Sequence, residues 1–198
     1  MITFRNREIA NEQLVLDSKT ELYYLGPALT LRNCTLVVKV PRKALVVNQV
    51  RLIDCTIEVA RVLKNFGWDS VHLKGCRFKG RFVGNDFGNW RDATQATIVD
   101  CDFSSAHVDQ CRFLHCDVRT LRFPPWPYFT LFAPARRAAE LAALPWPGKY
   151  GRVIAQSIAE EPPSTVALTY AAPDLAKFCG TTPEAIKALI EKLDGVYY

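Results

Sequence analysis

Between Asp100 and Phe123 the apolar residues recur every five positions. Small or apolar residues fall at Cys101, Ala106, Cys111, Cys116 and Leu121. Larger ones follow two places on, at Phe103, Val108, Phe113, Val118 and Phe123, and most positions between are polar. A helix returns its buried face every ~3.6 residues and a strand every ~2, so neither generates this spacing. A chain that turns a corner every few residues does, because each short side points two side chains into one narrow interior. The same pairing recurs upstream at Leu29/Leu31, Cys34/Leu36, Leu45/Val47, Val50/Leu52, Cys55/Ile57, Ala60/Val62, Val71/Leu73, Cys76/Phe78 and Ala96/Ile98. It breaks at Lys39–Lys43, at Leu63–Ser70, where Phe66 and Trp68 read as part of an inserted loop, and over Gly80–Gln95.

A longer repeat overlies the short one. Cys34, Cys55, Cys76 and Cys101 are separated by 21, 21 and 25 residues, and Leu121 follows Cys101 by 20. Repeats of about 20 residues mark a solenoid. The spacing predicts about four to five coils, with Cys34, Cys55, Cys76 and Cys101 stacked in one ladder under Leu121. Leu36, Ile57, Phe78, Phe103 and Phe123 form a second ladder. Thr35, Thr56, Arg77, Asp102 and Arg122, lying between the two, form a column on the outer surface.

A small residue, often Ala or Cys, two places before a central Leu or Phe resembles the pentapeptide-repeat family. The resemblance implies a right-handed, four-sided parallel β-helix with about four blocks per coil and rungs ~4.8 Å apart. The fold class is then mainly β, with a small α/β or α-helical region after the solenoid. Residues 1–28 read as an N-terminal cap or irregular first coil, with short strands at Leu14–Leu16 and Leu22–Leu25. The β-helix spans 29–124 and ends at Pro124-Pro125-Trp126-Pro127, since proline cannot donate to a ladder. A capping helix over Pro134–Leu144 and a linker occupy 125–163.

Residues 164–198 are more regular. Thr165–Thr169 reads as a strand, Pro173–Cys179 and Pro183–Leu193 as helices about Gly180, and Val196–Tyr198 as a final strand. The helix pair resembles a helix-turn-helix, with Ala176, Gly180 and Ile186 at the small, turn and buried positions and Leu175 and Leu189 supplying core. A DNA-reading helix needs basic residues, because phosphate contacts carry most of the affinity. This one carries Glu184, Lys187, Glu191 and Lys192 and is neutral, which disfavours nucleic acid as a partner.

Charge and cysteine content narrow the function. The net charge is +5, and all of it lies in residues 1–124, which hold 18 Lys/Arg and 13 Asp/Glu. Six of the seven cysteines fall on the small inward position, where a reduced thiol acts as a small hydrophobe. No disulfide, metal or cofactor is expected. Cys111, His115 and Cys116, with His107 upstream, lack the paired spacing of a zinc site, and His115 points outward in the five-residue frame. No apolar run of membrane-spanning length and no secretory leader is present, so a cytoplasmic protein is expected. Phosphate-loop, dinucleotide-binding, serine-hydrolase and zinc-protease signatures are missing. Asp100, Asp102, Asp109 and Asp117 do not converge as a glycosidase pair requires. An enzyme is therefore not expected.

What remains is interaction. Lys74, Arg77, Lys79 and Arg81 cluster beside a loop carrying Phe87, Trp90 and Arg91, and Trp and Arg are frequent interface anchors. The reading that follows is a non-enzymatic scaffold that binds another protein, such as an immunity protein that neutralises a bacterial toxin or one that shields a target. A homodimer is compatible with it. Two alternatives stand beside it. The resemblance implies a DNA mimic that engages DNA gyrase, a topoisomerase, although a mimic should be acidic. The C-terminal helices would suit a DNA-binding regulator.

Overall fold

The computed structural model describes residues Met1–Tyr198. It is a mainly β parallel solenoid of about five turns with a few C-terminal helices. The first coil holds β1 (Ile2–Phe4), β2 (Arg7–Ala10) and β3 (Gln13–Leu16), and the second β4 (Tyr23–Leu25), β5 (Leu29–Arg32) and β6 (Thr35–Val38). The third holds β7 (Leu45–Val47), β8 (Val50–Ile53) and β9 (Thr56–Lys64), and the fourth β10 (Val71–Lys74), β11 (Arg77–Val83) and β12 (Asp86–Phe87). The last contains β13 (Thr97–Val99), β14 (Ala106–Asp109) and β15 (Cys111–Leu114). Like strands stack into parallel sheets, ordered β1-β4-β7, β2-β5-β8-β10-β13 and β3-β6-β9-β11-β14. In the first coils the fourth side is irregular. Residues 1–28 are thus no separate covering element: β1, β2 and β3 pair in register with β4, β5 and β6.

The corners explain why this sequence coils. Asn11, Asn33, Asp54, Gly75 and Asp100 all have left-handed backbone, with φ between 50° and 65°. They occupy equivalent corners: Asn11, Asn33, Asp54 and Gly75 donate their N–H groups to Arg32, Ile53, Lys74 and Val99, each the residue before the next corner. Asn, Asp and Gly tolerate this region better than other residues. Each such corner turns the chain and delivers the following small residue inward, which is why four of the five precede a cysteine.

Both expected ladders are present. Thr56, Arg77, Asp102 and Arg122 donate to the carbonyls of Cys34, Cys55, Cys76 and Cys101 at 2.8–3.0 Å, and all four cysteines are buried and free. Leu36, Ile57 and Phe78 are in register, and the rings of Phe78 and Phe103 stack 4.2 Å apart. Thr35, Thr56, Arg77, Asp102 and Arg122 share one register on the outside.

Three expectations fail for one reason. The inward pair in β9 is Val59 and Leu63, whereas Ala60 and Val62 face out. Phe66 and Trp68 belong to the core instead of a protruding loop, and so do Phe82 and Phe87 within the supposed break. Strands β9 and β11 are nine and seven residues long, with a register shift between Gly80 and Phe82. The longer side widens the interior, and aromatic rings fill it: Trp68 stacks on Phe87 at 5.7 Å and Phe87 on Phe113 at 5.1 Å.

The end of the solenoid is closed by a sheet. Strand β15 pairs antiparallel with β17 (Thr165–Ala171), β17 with β16 (Tyr128–Phe132), and β16 with β18 (Val196–Tyr197). This covers an edge that would otherwise be free to template another chain. Ala167 belongs to the solenoid core, whereas Leu168 and Tyr170 belong to a second core. That second core is shared by α1 (Ala138–Ala143), α2 (Gly151–Ala159), α3 (Ala172–Cys179) and α4 (Pro183–Ile190). The Pro134–Leu144 segment is a 3-10 turn followed by the short α1, and its Leu141 packs in the second core and not over the coil. Residues 125–163 and 164–198 therefore build one unit, because their strands share a sheet. No helix is long and apolar enough to cross a membrane.

Gly80 is the tightest point of the register shift. Its φ is 98°, and a Cβ there would lie 2.2 Å from the Val59 carbonyl oxygen. Gly180 also has positive φ, but a Cβ would meet nothing within 4 Å. In denaturant titrations Gly180→Ala should cost about 1 kcal/mol and Gly80→Ala about 3 kcal/mol or more, since backbone must move. Equal costs would show that the register shift does not constrain the fold.

Candidate interaction face

The outward column gives the solenoid a regular charged face. Side chains alternate in and out along a strand, so the residue between each cysteine and its large partner must face solvent. Arg77 and Arg122 lie one rung to either side of Asp102. Both guanidinium groups are exposed, and the nine ion pairs of the chain include neither. Burial opposes ionisation of Asp102, but hydrogen bonds from Ser104 and the flanking Arg122 and Arg77 outweigh it and hold the carboxyl below its ordinary range. Arg77, Asp100, Asp102, Arg119 and Arg122 line a groove of about 420 Å³. Lys79, paired in register with Glu58, and Lys74, paired with Ile53 and Val99, are exposed nearby.

The aromatic half of the expected patch is absent from the surface. Phe87 is fully buried among Trp68, Phe103 and Phe113, because the widened coil draws it inward. Trp90 folds back on the solenoid. Its indole N–H donates to Asp86 at 3.2 Å, and the Arg112 guanidinium lies 4.5 Å from the ring centre. Arg112 also donates twice to the Asp86 carboxylate, at 2.6 and 3.2 Å. Arg91 stays exposed at the loop tip, where Asn89 accepts its N–H. Asp86 and Arg112 were not singled out from sequence. Their 26-residue separation, close to the 25-residue offset of the same coil at His72/Thr97, is the signal that links them.

Arg81 belongs to a different cluster, where the solenoid meets the C-terminal unit. It lies 3.6 Å from Asp174 at the start of α3, and His107 lies 3.2 Å from the same carboxylate. The other His107 nitrogen meets the Tyr128 hydroxyl at 3.0 Å. Burial, reinforced by Arg81, lowers the His107 pKa, so the imidazole is neutral at pH 7. Asp109 is buried and accepts the Ala171 N–H at 3.0 Å, at the N-terminus of α3. Sequence reasoning missed this contact, since Asp109 reads there only as one of four carboxylates that do not converge. No group of three or more His, Cys, Asp or Glu side chains is placed to hold a metal ion.

The Asp109 pKa is raised, chiefly by burial. A carboxyl with a raised folded-state pKa favours the folded state most when protonated, and this advantage is lost as pH rises through the folded-state value. Asp109→Asn keeps an acceptor for Ala171 and removes the buried charge. It should leave the protein more stable than the parent at pH 7, with the difference shrinking as pH falls toward 4. Thermal unfolding at several pH values measures this, and a variant destabilised equally at all pH values would contradict it.

Comparison with protein-family models and with characterised proteins finds no match, so the assignment of a β-solenoid rests on the strand pairing and packing described above.

Proposed function

We propose that this chain is an irregular pentapeptide-repeat protein acting as a non-enzymatic binding scaffold. Its ligand is an acidic surface on another protein, which it neutralises or shields in the manner of an immunity or protective protein. The observation that carries the reading is the pair of exposed guanidinium groups, Arg77 and Arg122, on successive sides of Asp102 without ion-pair partners. Arginine forks suit carboxylate recognition. A main-chain ladder fixes the spacing of their backbone positions, so the ordering cost on binding is confined to the side chains.

The alternatives draw less support. A DNA mimic presents carboxylates, whereas this face presents arginines. For a DNA-binding regulator α4 would have to supply free cations, but Lys187 lies 5.5 Å from the Trp126 ring and 3.7 Å from Glu191.

The test is affinity capture from the source cells with the parent and an Arg77→Glu/Arg122→Glu variant, followed by mass identification. Both positions are exposed, so the fold should survive, and circular dichroism verifies that. A partner retained by the parent, released by salt and bound roughly 10- to 100-fold more weakly by the variant is expected. Equal capture by both proteins would refute the role of this face.

A further inference from the structure

A second concave site lies where the last coil meets the closing sheet. It has a volume of about 270 Å³. One wall is Cys116 and Val118 from the coil; the other is Phe132, Ala135 and Val166 from β16, the 3-10 turn and β17. These side chains are only partly covered, and four of them pack directly against the solenoid core. The groove is therefore a place where the core reaches solvent. Cys116 reflects its low polarity: burial, then the neighbouring Asp117, pushes the thiol up to about 12.

The rim is charged and unbalanced. Asp117, Arg119 and Arg136 border the groove. Asp117 is consumed by Arg119, which donates to it at 2.6 Å. Arg136 is exposed and in none of the chain's ion pairs, while its neighbour Arg137 pairs with Glu140. One uncompensated cation thus overlooks an apolar trough. Ligand sites commonly have this form, an apolar lining with a few placed polar groups.

The geometry points to a binding site for a small apolar carboxylate, with its hydrocarbon body between Val118, Phe132 and Val166 and its anionic head at Arg136. At about 30 Å³ per non-hydrogen atom, taken from the liquid volume of water, the groove holds roughly nine atoms, the size of a medium-chain acid. Arg119 borders both this groove and the Arg77–Arg122 groove, whereas Val118, Phe132, Arg136 and Val166 line this one alone.

The experiment is a titration of the full chain followed by backbone amide chemical shifts, using octanoate, octanamide and acetate. Octanoate should produce saturating shifts confined to 116–119, 132–136 and 163–166. Octanamide should bind about tenfold more weakly, as expected for loss of a charge-assisted hydrogen bond, and acetate more weakly still. Arg136→Gln, at an exposed position, should remove the preference for octanoate over octanamide. Ala135→Leu should fill the trough and abolish binding. Absence of saturating shifts at the groove, or equal affinity for octanoate and octanamide, would overturn the assignment. So would acetate binding as tightly as octanoate.

Discussion

The structure depends on one constraint: every turn of backbone must come back into register with the turn before it. Only then do the N–H and C=O groups of each side find partners on the next rung, as buried main-chain groups must. The constraint fixes the length of a coil, the handedness of its corners and the size of its interior side chains together. Asn, Asp or Gly at the corner column supplies the left-handed turn. The cysteine after it fits against the neighbouring coil, where the Cys55 and Cys76 thiols donate to the Leu31 and Leu52 carbonyls. Any side chain that breaks register at one rung disturbs those on either side.

The interior changes character along the axis within this constraint. Leucine, valine and isoleucine fill the first coils, and phenylalanine and tryptophan fill the last ones. The change coincides with the lengthening of β9 and β11, and larger rings occupy the wider space with edge and stacked contacts that favour a single arrangement. Strand β15, in the last coil, lies at the edge of the solenoid, where β17 pairs with it in the opposite direction. The C-terminal helices sit on the far face of that sheet and contribute a core of their own. Asp109, His107 and Arg81 then fasten α3 and β16 to the coil.

Much of the scaffold was legible because the inward positions are chemically uniform. Cysteines spaced 21 apart, each followed by a large apolar residue, fit stacked coils and neither a helix nor a flat sheet, and the outer column follows from alternation alone. The helices about Gly180 and the strand at Thr165 were likewise readable from Gly, Pro and apolar spacing. What was hidden arose from non-local events. The register shift at Gly80 moved Val59 and Leu63 inward in place of Ala60 and Val62, and carried Phe66, Trp68, Phe82 and Phe87 into the core. Phe87 looked like a surface anchor only because a widened coil does not follow the five-residue frame. The pairing of Arg112 with Asp86 follows the offset between coils and not the five-residue frame, and that of Asp109 with α3 joins the coil to a separate unit.

The consequence for function is a division of the surface. Trp90 and Arg81 are committed to holding the molecule together, and the free arginines lie on the ladder itself, where spacing is set by the main chain. The most direct measurement of the register is a pulsed electron-spin distance between labels at Gln13 and Arg122, exposed positions of one outer column. They are 109 residues apart in sequence and five rungs apart in the fold, or about 24 Å at ~4.8 Å per rung. A single narrow distribution near that value is the expected result; a broad distribution, or a mean far from it, would contradict the stacked solenoid.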